Sequence, residues 1–309
     1  MLKDMSTKDL ISLLPIAIVQ EMEISKVNLK NLQEIRIKIG NPVIMEDGEG
    51  EKVFNYQVKN EDIKYIIQRI SNYSLYAFEE ELKQGYITIQ GGHRIGISGD
   101  CVVQNGLVKT IKNIYSLNIR VSREILGCAF KYVPHMIKNN DVLNTIIISP
   151  PKCGKTTILR DLTRILSNGD KSLGIQGKKI TIIDERSEIA GCYRGIPQLN
   201  VGIRSDVYDN CIKSEGIIMA IRALSPEIII CDEIGTEKDT KSLIQALNSG
   251  VKVITTIHGF DIKDLVNRPV FKELIDNKVF KRALVLSNRL GIGTIESIWD
   301  FDNNKELWR

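Results

Sequence analysis

The run TIIIS, Thr145 to Ser149, is apolar and β-branched, and it passes directly into PPKCGKTT and then into a stretch of helical spacing. Such a block reads as a strand buried on both faces, a tight loop and a helix, which commits the surrounding chain to a parallel sheet. The loop follows the pattern G-x-x-x-x-G-K-[ST], in which successive backbone N–H groups point inward at an anion, a lysine neutralises its outer oxygens and a hydroxyl binds magnesium. The second glycine, the lysine and the hydroxyl are present as Gly154, Lys155 and Thr156, whereas Ser149 stands at the first glycine position. A small residue fits there if its φ is negative, while Gly154 lets the backbone approach phosphate closely. On this motif the nucleotide-binding residues are Ser149, Pro150, Pro151, Lys152, Cys153, Gly154, Lys155, Thr156 and Thr157. An ordinary strand-to-helix turn that happens to contain GKT is the alternative, so the rest of the chain must decide.

Three further apolar runs alternate with helical or loop material: KITIID (Lys179 to Asp184), EIIICDE (Glu227 to Glu233) and KVITTIH (Lys252 to His258). That is the pattern of an α/β fold, with ALVLS and TIESIWDF as further candidate strands. Parallel strands bring their carboxyl ends to one edge, so the residues that end these runs would share a cleft. Asp232 fits the magnesium carboxylate of phosphate-loop proteins, beside Thr156. Glu233, one residue further out, fits a base that deprotonates attacking water. Glu185 would support the water or the metal, and Arg186 would hold Glu185 or a phosphate; a surface acid and arginine with no ligand is the rival reading. His258 would sense the terminal phosphate directly or through Glu233. Cys153, near a helix N-terminus and two ammonium groups, reads either as a reactive thiol or as a small filler residue.

The chain of 309 residues, 43% hydrophobic, is long enough for two domains. Residues 1–140 read as a small α+β domain: a helix over Leu10 to Val19, a hairpin in LQEIRIKIGNPVIM, helices in EDIKYIIQRIS and SLYAFEEELKQG, and short strands separated by glycine turns. KYVPHMIKNNDVLN is the expected junction, and residues 141–309 form the phosphate-loop domain. The stretches SNGDKSLGIQGKK and AGCYRGIPQLNVGIRSD read as loops. A near balance of 42 basic and 38 acidic residues, with 6% aromatic residues, argues against nucleic acid as the partner. The six cysteines show no zinc-ligand spacing. The apolar stretch at Leu10 is too short to span a bilayer, so no direct membrane insertion is expected.

The segments LQEIRIKIGNPV, YAFEEELKQGYITIQGGHRIGISGD, GLVKTIKNIYSLNIRVSRE, SPPKCGKTTILRDL, IIDERSEIAG and AIRALSPEIIICDEIGTEKDTKSLIQALNSGVKVITTIHG resemble the stage III sporulation AA family of endospore-forming bacteria. That family is itself similar to the ATPases of type II and type IV secretion systems, and the likeness covers nearly the whole sequence. It implies a RecA-like phosphate-loop ATPase domain under a smaller N-terminal domain that packs over the nucleotide and contributes arginines, with Arg94 and Arg120 as candidates. IIDERSE resembles the family's acidic box and TTIHG its histidine box, which puts Glu185 and His258 beside Lys155 and Glu233 as catalytic residues. The DE pair departs from the many secretion ATPases that carry a glycine before the acid. The resemblance further implies ATP and Mg2+ as ligands, self-association into a ring, with a hexamer expected, and a cytoplasmic motor in the mother cell. That motor would be peripheral to a membrane complex and dock on membrane proteins of the stage III sporulation channel to the forespore. The alternative is a nucleic-acid-binding ATPase related to proteins with an appended single-strand-binding domain; the chain ends at LWR soon after the ATPase region, which leaves no such module expected.

Overall fold

The computed structural model describes residues 5–71 and 78–308, which fall into two compact units, Met1–Arg123 with Gly191–Gln198, and Glu124–Ala190 with Leu199–Arg309. The first unit opens with α1 (Met5–Ser12) and α2 (Ile16–Ile24). The single helix expected over Leu10 to Val19 is broken because Pro15 has no N–H to donate and its ring clashes with a preceding turn; it precedes α2 as its N-cap instead. Leu10, Leu14, Ile18 and Met22 recur at every fourth residue and all enter the core.

β1 (Glu34–Lys38) and β2 (Pro42–Asp47) make the expected hairpin, and β3 (Gly50–Gln57), α3 (Asn60–Ile70) and α4 (Glu79–Lys83) follow. Residues 74–77 of the expected helix SLYAFEEELKQG lie outside the described residues; α4 is its remainder. β4 (Tyr86–Thr88), β5 (Arg94–Gln104) and β6 (Leu107–Arg120) complete an antiparallel sheet in the order β3-β2-β1-β6-β5-β4. Two of the short strands expected on either side of a glycine turn, HRIGISG and DCVVQNG, are one strand, β5. At Gly99 the register shifts, and a β-carbon there would come within 2.4 Å of the Lys112 carbonyl oxygen, so this glycine serves a bulge rather than a turn. The true turn is Asn105–Gly106, with φ of +53° and +76°.

The second unit begins after Arg123, ahead of the junction expected near Asn140. The intervening segment is tied to this unit by its hydrogen bonds: the Ala129 N–H donates to Asp161 Oδ2 at 2.8 Å, Arg282 Nε donates to the His135 carbonyl at 3.0 Å, and the Tyr132 hydroxyl donates to the Gly293 carbonyl. The paired asparagines turn a short hairpin of β7 (Ile137–Lys138) and β8 (Asp141–Val142). Then come β9 (Thr145–Ser149), α5 (Lys155–Asn168), β10 (Ile180–Asp184), β11 (Ser205–Asp209), α6 (Lys213–Ala223) and β12 (Ile228–Cys231). They are followed by α7 (Glu237–Asn248), β13 (Lys252–His258), α8 (Ile262–Val266), α9 (Lys272–Asp276), β14 (Arg282–Ser287), β15 (Thr294–Asp300) and β16 (Lys305–Trp308).

The strand order is β11-β10-β12-β13-β9-β14-β15-β16, parallel from β11 to β14 and antiparallel beyond. Ile146, Ile148, Ile229, Val253 and Ile257 join α6, α7 and α9 in one buried cluster. Alternate residues, Ile147, Ile182, Ile230 and Ile254, point to the other face, against which α5 packs Ile158, Leu159, Leu162 and Ile165. Among the described residues no helix is long and apolar enough to cross a membrane.

Candidate functional site

The carboxyl ends of four adjacent parallel strands carry the candidate residues. β9 leads into the phosphate-loop motif, β10 into Asp184–Glu185–Arg186, β12 into Asp232–Glu233, and β13 ends at His258. Ser149 is the last residue of β9 and keeps a negative φ, so a side chain is accommodated where the pattern has glycine. Pro150 and Pro151 carry the chain off the strand. Lys152 and Gly154 then take left-handed φ values of +61° and +84°, a geometry that turns successive N–H groups toward one side at the head of α5. Glycine is required at the second position, because a β-carbon on Gly154 would lie within 2.6 Å of Ile292 Cγ2.

The Lys155 side chain curls into this loop. Its Nζ donates to the Ser149 carbonyl at 3.1 Å and the Pro150 carbonyl at 3.3 Å, and lies 2.8 Å from His258 Nδ1. Burial pulls the Lys155 ammonium below its usual range, and the charges of Asp232 and Glu233 oppose that pull. An ammonium has no lone pair to offer, so Nδ1 of His258 accepts; its Nε2 then carries the proton and donates to Glu233 Oε1 at 3.1 Å. Arg186 Nη1 reaches the other oxygen of Glu233 at 3.5 Å. Lys155, His258, Glu233 and Arg186 thus form one continuous chain of polar contacts.

Asp232 is held on a different line. Thr156 Oγ1 donates to its Oδ2 at 2.9 Å, and the Thr256 hydroxyl donates to its Oδ1. Thr256 Oγ1 also accepts from the Glu233 N–H at 2.9 Å, so one hydroxyl ties the Asp232 carboxylate to the Glu233 backbone. Glu233 adopts φ +40°, outside the range a non-glycine residue prefers, and the backbone turns there between Asp232 and the next residue. The Thr156 and Asp232 oxygens are hard donors of the kind magnesium takes together with phosphate oxygens, so the residues present fit that ion.

The remaining expected residues fall elsewhere or serve other ends. Glu185 pairs with Lys213 of α6, and Arg186 with Glu233, so Arg186 does not hold Glu185. Asp184, 2% exposed, accepts from the N–H groups of Glu188, Ile189 and Ala190 at 2.8, 3.0 and 2.8 Å, and burial raises its carboxyl against the pull of these donors. Arg160 clamps the same turn from below, donating to the Glu188 and Ile189 carbonyls. The Cys153 thiol is buried and donates to the Pro151 carbonyl at 3.5 Å, which makes it a filler of the loop rather than an exposed nucleophile. Thr157 lies in the first turn of α5, and its carbonyl accepts from Cys128 Sγ at 3.8 Å. Arg94, in the first unit, stacks on Tyr86 with 3.6 Å between its Cζ and the ring centre. Thr256, Lys213 and Arg160 were not singled out by the sequence; Thr256 lies two residues before His258 on the same strand face, which is the signal that would have found it.

The family model described as Sporulation stage III, protein AA matches residues 5–305. The stage III sporulation protein AA of Bacillus subtilis (strain 168) is 48% identical over 283 residues, which cover 91% of each chain. Among solved structures, the Legionella pneumophila ATPase DotB superposes with a TM-score of 0.58 at 16% identity, over 88% of this chain and 76% of DotB. The pilus retraction motor PilT with bound ADP gives a TM-score of 0.58 at 14% identity, over 91% of this chain and 80% of PilT. At these identities the two structures share the fold: an α/β, RecA-like phosphate-loop architecture.

Proposed function

Because this chain belongs to the sporulation stage III protein AA family, and shares its fold with the ATPase DotB and the pilus retraction motor PilT, we propose that it is a magnesium-dependent ATPase. The observation that carries the reading is that two lines of contact, Lys155–His258–Glu233 and Thr156–Asp232, lie side by side at the carboxyl edge of the parallel sheet. In this reading the loop N–H groups from Lys152 onward cradle the phosphates, and the Lys155 ammonium neutralises their outer oxygens. Thr156 and Asp232 hold magnesium, which when bound supplies the positive charge that screens the phosphates from the incoming nucleophile. Glu233 takes the proton of the attacking water, His258 fixes the direction of its carboxylate through Nε2, and Glu185 supports the site from the β10 edge.

The finer reading is a ring, with six copies expected, in which Arg94 or Arg120 reaches the site of a neighbouring copy. The ring would work in the mother-cell cytoplasm, docked on membrane proteins of the stage III channel complex. Family membership supports this, as does the retraction-motor role that PilT's name gives to that protein.

The test is a pair of variants measured for nucleotide binding and phosphate release. Lys155→Ala is expected to abolish binding or nearly so. Glu233→Gln is expected to retain binding while turnover falls about a hundredfold or more, the usual effect of deleting a positioned base. Undiminished turnover in the Gln variant would remove Glu233 from the mechanism.

A further inference from the structure

Resting on the nucleotide reading above, we propose that the loop between β14 and β15 is the platform for the nucleobase, with Leu290 and Ile292 as its contact residues. The argument begins with strand order. The reactive groups come from β13 and β12, both on one side of β9, while β14 lies on its other side. A triphosphate whose last phosphate faces Glu233 must therefore send its nucleoside out on the β14 side.

From the end of β14 the chain returns across the phosphate loop. The Gly293 N–H donates to the Cys153 carbonyl at 3.1 Å, and the Tyr132 hydroxyl donates to the Gly293 carbonyl. Ile292 lies so close to Gly154 that no β-carbon fits there, and a β-carbon on Gly293 would stand 3.0 Å from Ile158 Cδ1 of α5. The loop is also fixed at its base. Ser287 Oγ donates to Glu296 Oε1 at 2.5 Å, Arg289 pairs with the same carboxylate at 3.1 and 3.2 Å, and Thr294 Oγ1 donates to the Gly291 carbonyl at 2.7 Å.

On this tied-down loop Leu290 and Ile292 remain 80% and 70% exposed. Two large aliphatic side chains held rigidly at the mouth of an anion loop supply what the flat face of a base needs, and they cover it without reading its edge. Phe260, 77% exposed just beyond β13, stands on the side of the catalytic strands and bears no base in this arrangement.

The experiment is calorimetric binding of ATP, GTP and inorganic tripolyphosphate, each with magnesium, to the full chain and its variants, with circular dichroism to verify folding. The double variant Leu290→Ser, Ile292→Ser is expected to lose about tenfold or more in affinity for ATP and GTP alike, and none for tripolyphosphate, as removal of apolar cover predicts. Phe260→Ser is expected to change none of the three. Equal loss of nucleotide and tripolyphosphate in the double variant, no loss at all, or a nucleotide-specific loss in Phe260→Ser would overturn the assignment. If the unaltered chain binds none of the three, the nucleotide reading itself falls, which is a separate result.

Discussion

Glu233 and Asp232 are neighbours with different partners, and the backbone separates them. A non-glycine residue at φ +40° carries strain on the order of 1 kcal/mol, and here the turn sends one carboxylate to Thr156 and the other to His258. A second acid shows how such local bonding sets stability. Asp47 accepts from the Asn28 and Glu49 N–H groups at 3.0 and 2.8 Å and pairs with Lys52 at 3.0 Å, and these partners, the Asn28 N–H foremost, hold its carboxyl at about 2 rather than 3.8. A lowered folded-state pKa means that the unfolded chain takes up the proton first. The stabilisation is therefore complete above about pH 4 and is lost as pH falls toward 2. The protection of the β2–β3 amides, taken relative to the intrinsic exchange rate at each pH, should fall across that interval; in Asp47→Asn it should already be lower at neutral pH, by about 1–3 kcal/mol, and change little below pH 4. At this scale Lys155, Thr156 and Asp232 were legible because fixed spacing from a glycine and a strand end marks them. Thr256 had only its strand-face spacing from His258 to mark it, and the Arg186–Glu233 contact had nothing, since it arises from which strands lie side by side, a tertiary fact no short window contains.

Among elements, β9, β10, β12 and β13 could be read directly, because a strand buried on both faces is a near-continuous run of apolar and β-branched residues, and the sequence shows such runs. β5 was harder. Its interior glycines mimic turn signals, and what they answer to is a carbonyl on β6 many residues away. Gly99→Ala is accordingly expected to destabilise the protein by about 1–3 kcal/mol through overpacking against the Lys112 carbonyl. Gly96→Ala, whose added carbon would sit at an ordinary 3.7 Å from the Asn118 carbonyl, is expected to cost much less. Urea melts of the two variants side by side check the contrast; equal losses would mean that the bulge tolerates a side chain. The helix split at Pro15 follows the same lesson, since hydrophobic period alone ran straight through a residue that cannot continue a helical ladder.

For the whole molecule, the proposed ring makes activity a property of association. Turnover per subunit should rise with protein concentration over the range in which sedimentation shows self-association, and single-stranded DNA should leave it unchanged. A flat profile across that range would count against arginines acting between copies. The division of the chain carries a last consequence. The backbone passes from one unit to the other after Arg123, again after Ala190 and back after Gln198, and the Leu199 N–H closes on the Ala190 carbonyl at 3.1 Å where the excursion begins and ends. A protease that nicks the first of these passages parts Met1–Arg123 from Gly191–Gln198, which stays on the other fragment although it belongs to the same unit. A gene cut at Glu124 would yield a fragment still carrying eight foreign residues, Gly191–Gln198, whose own unit had been deleted.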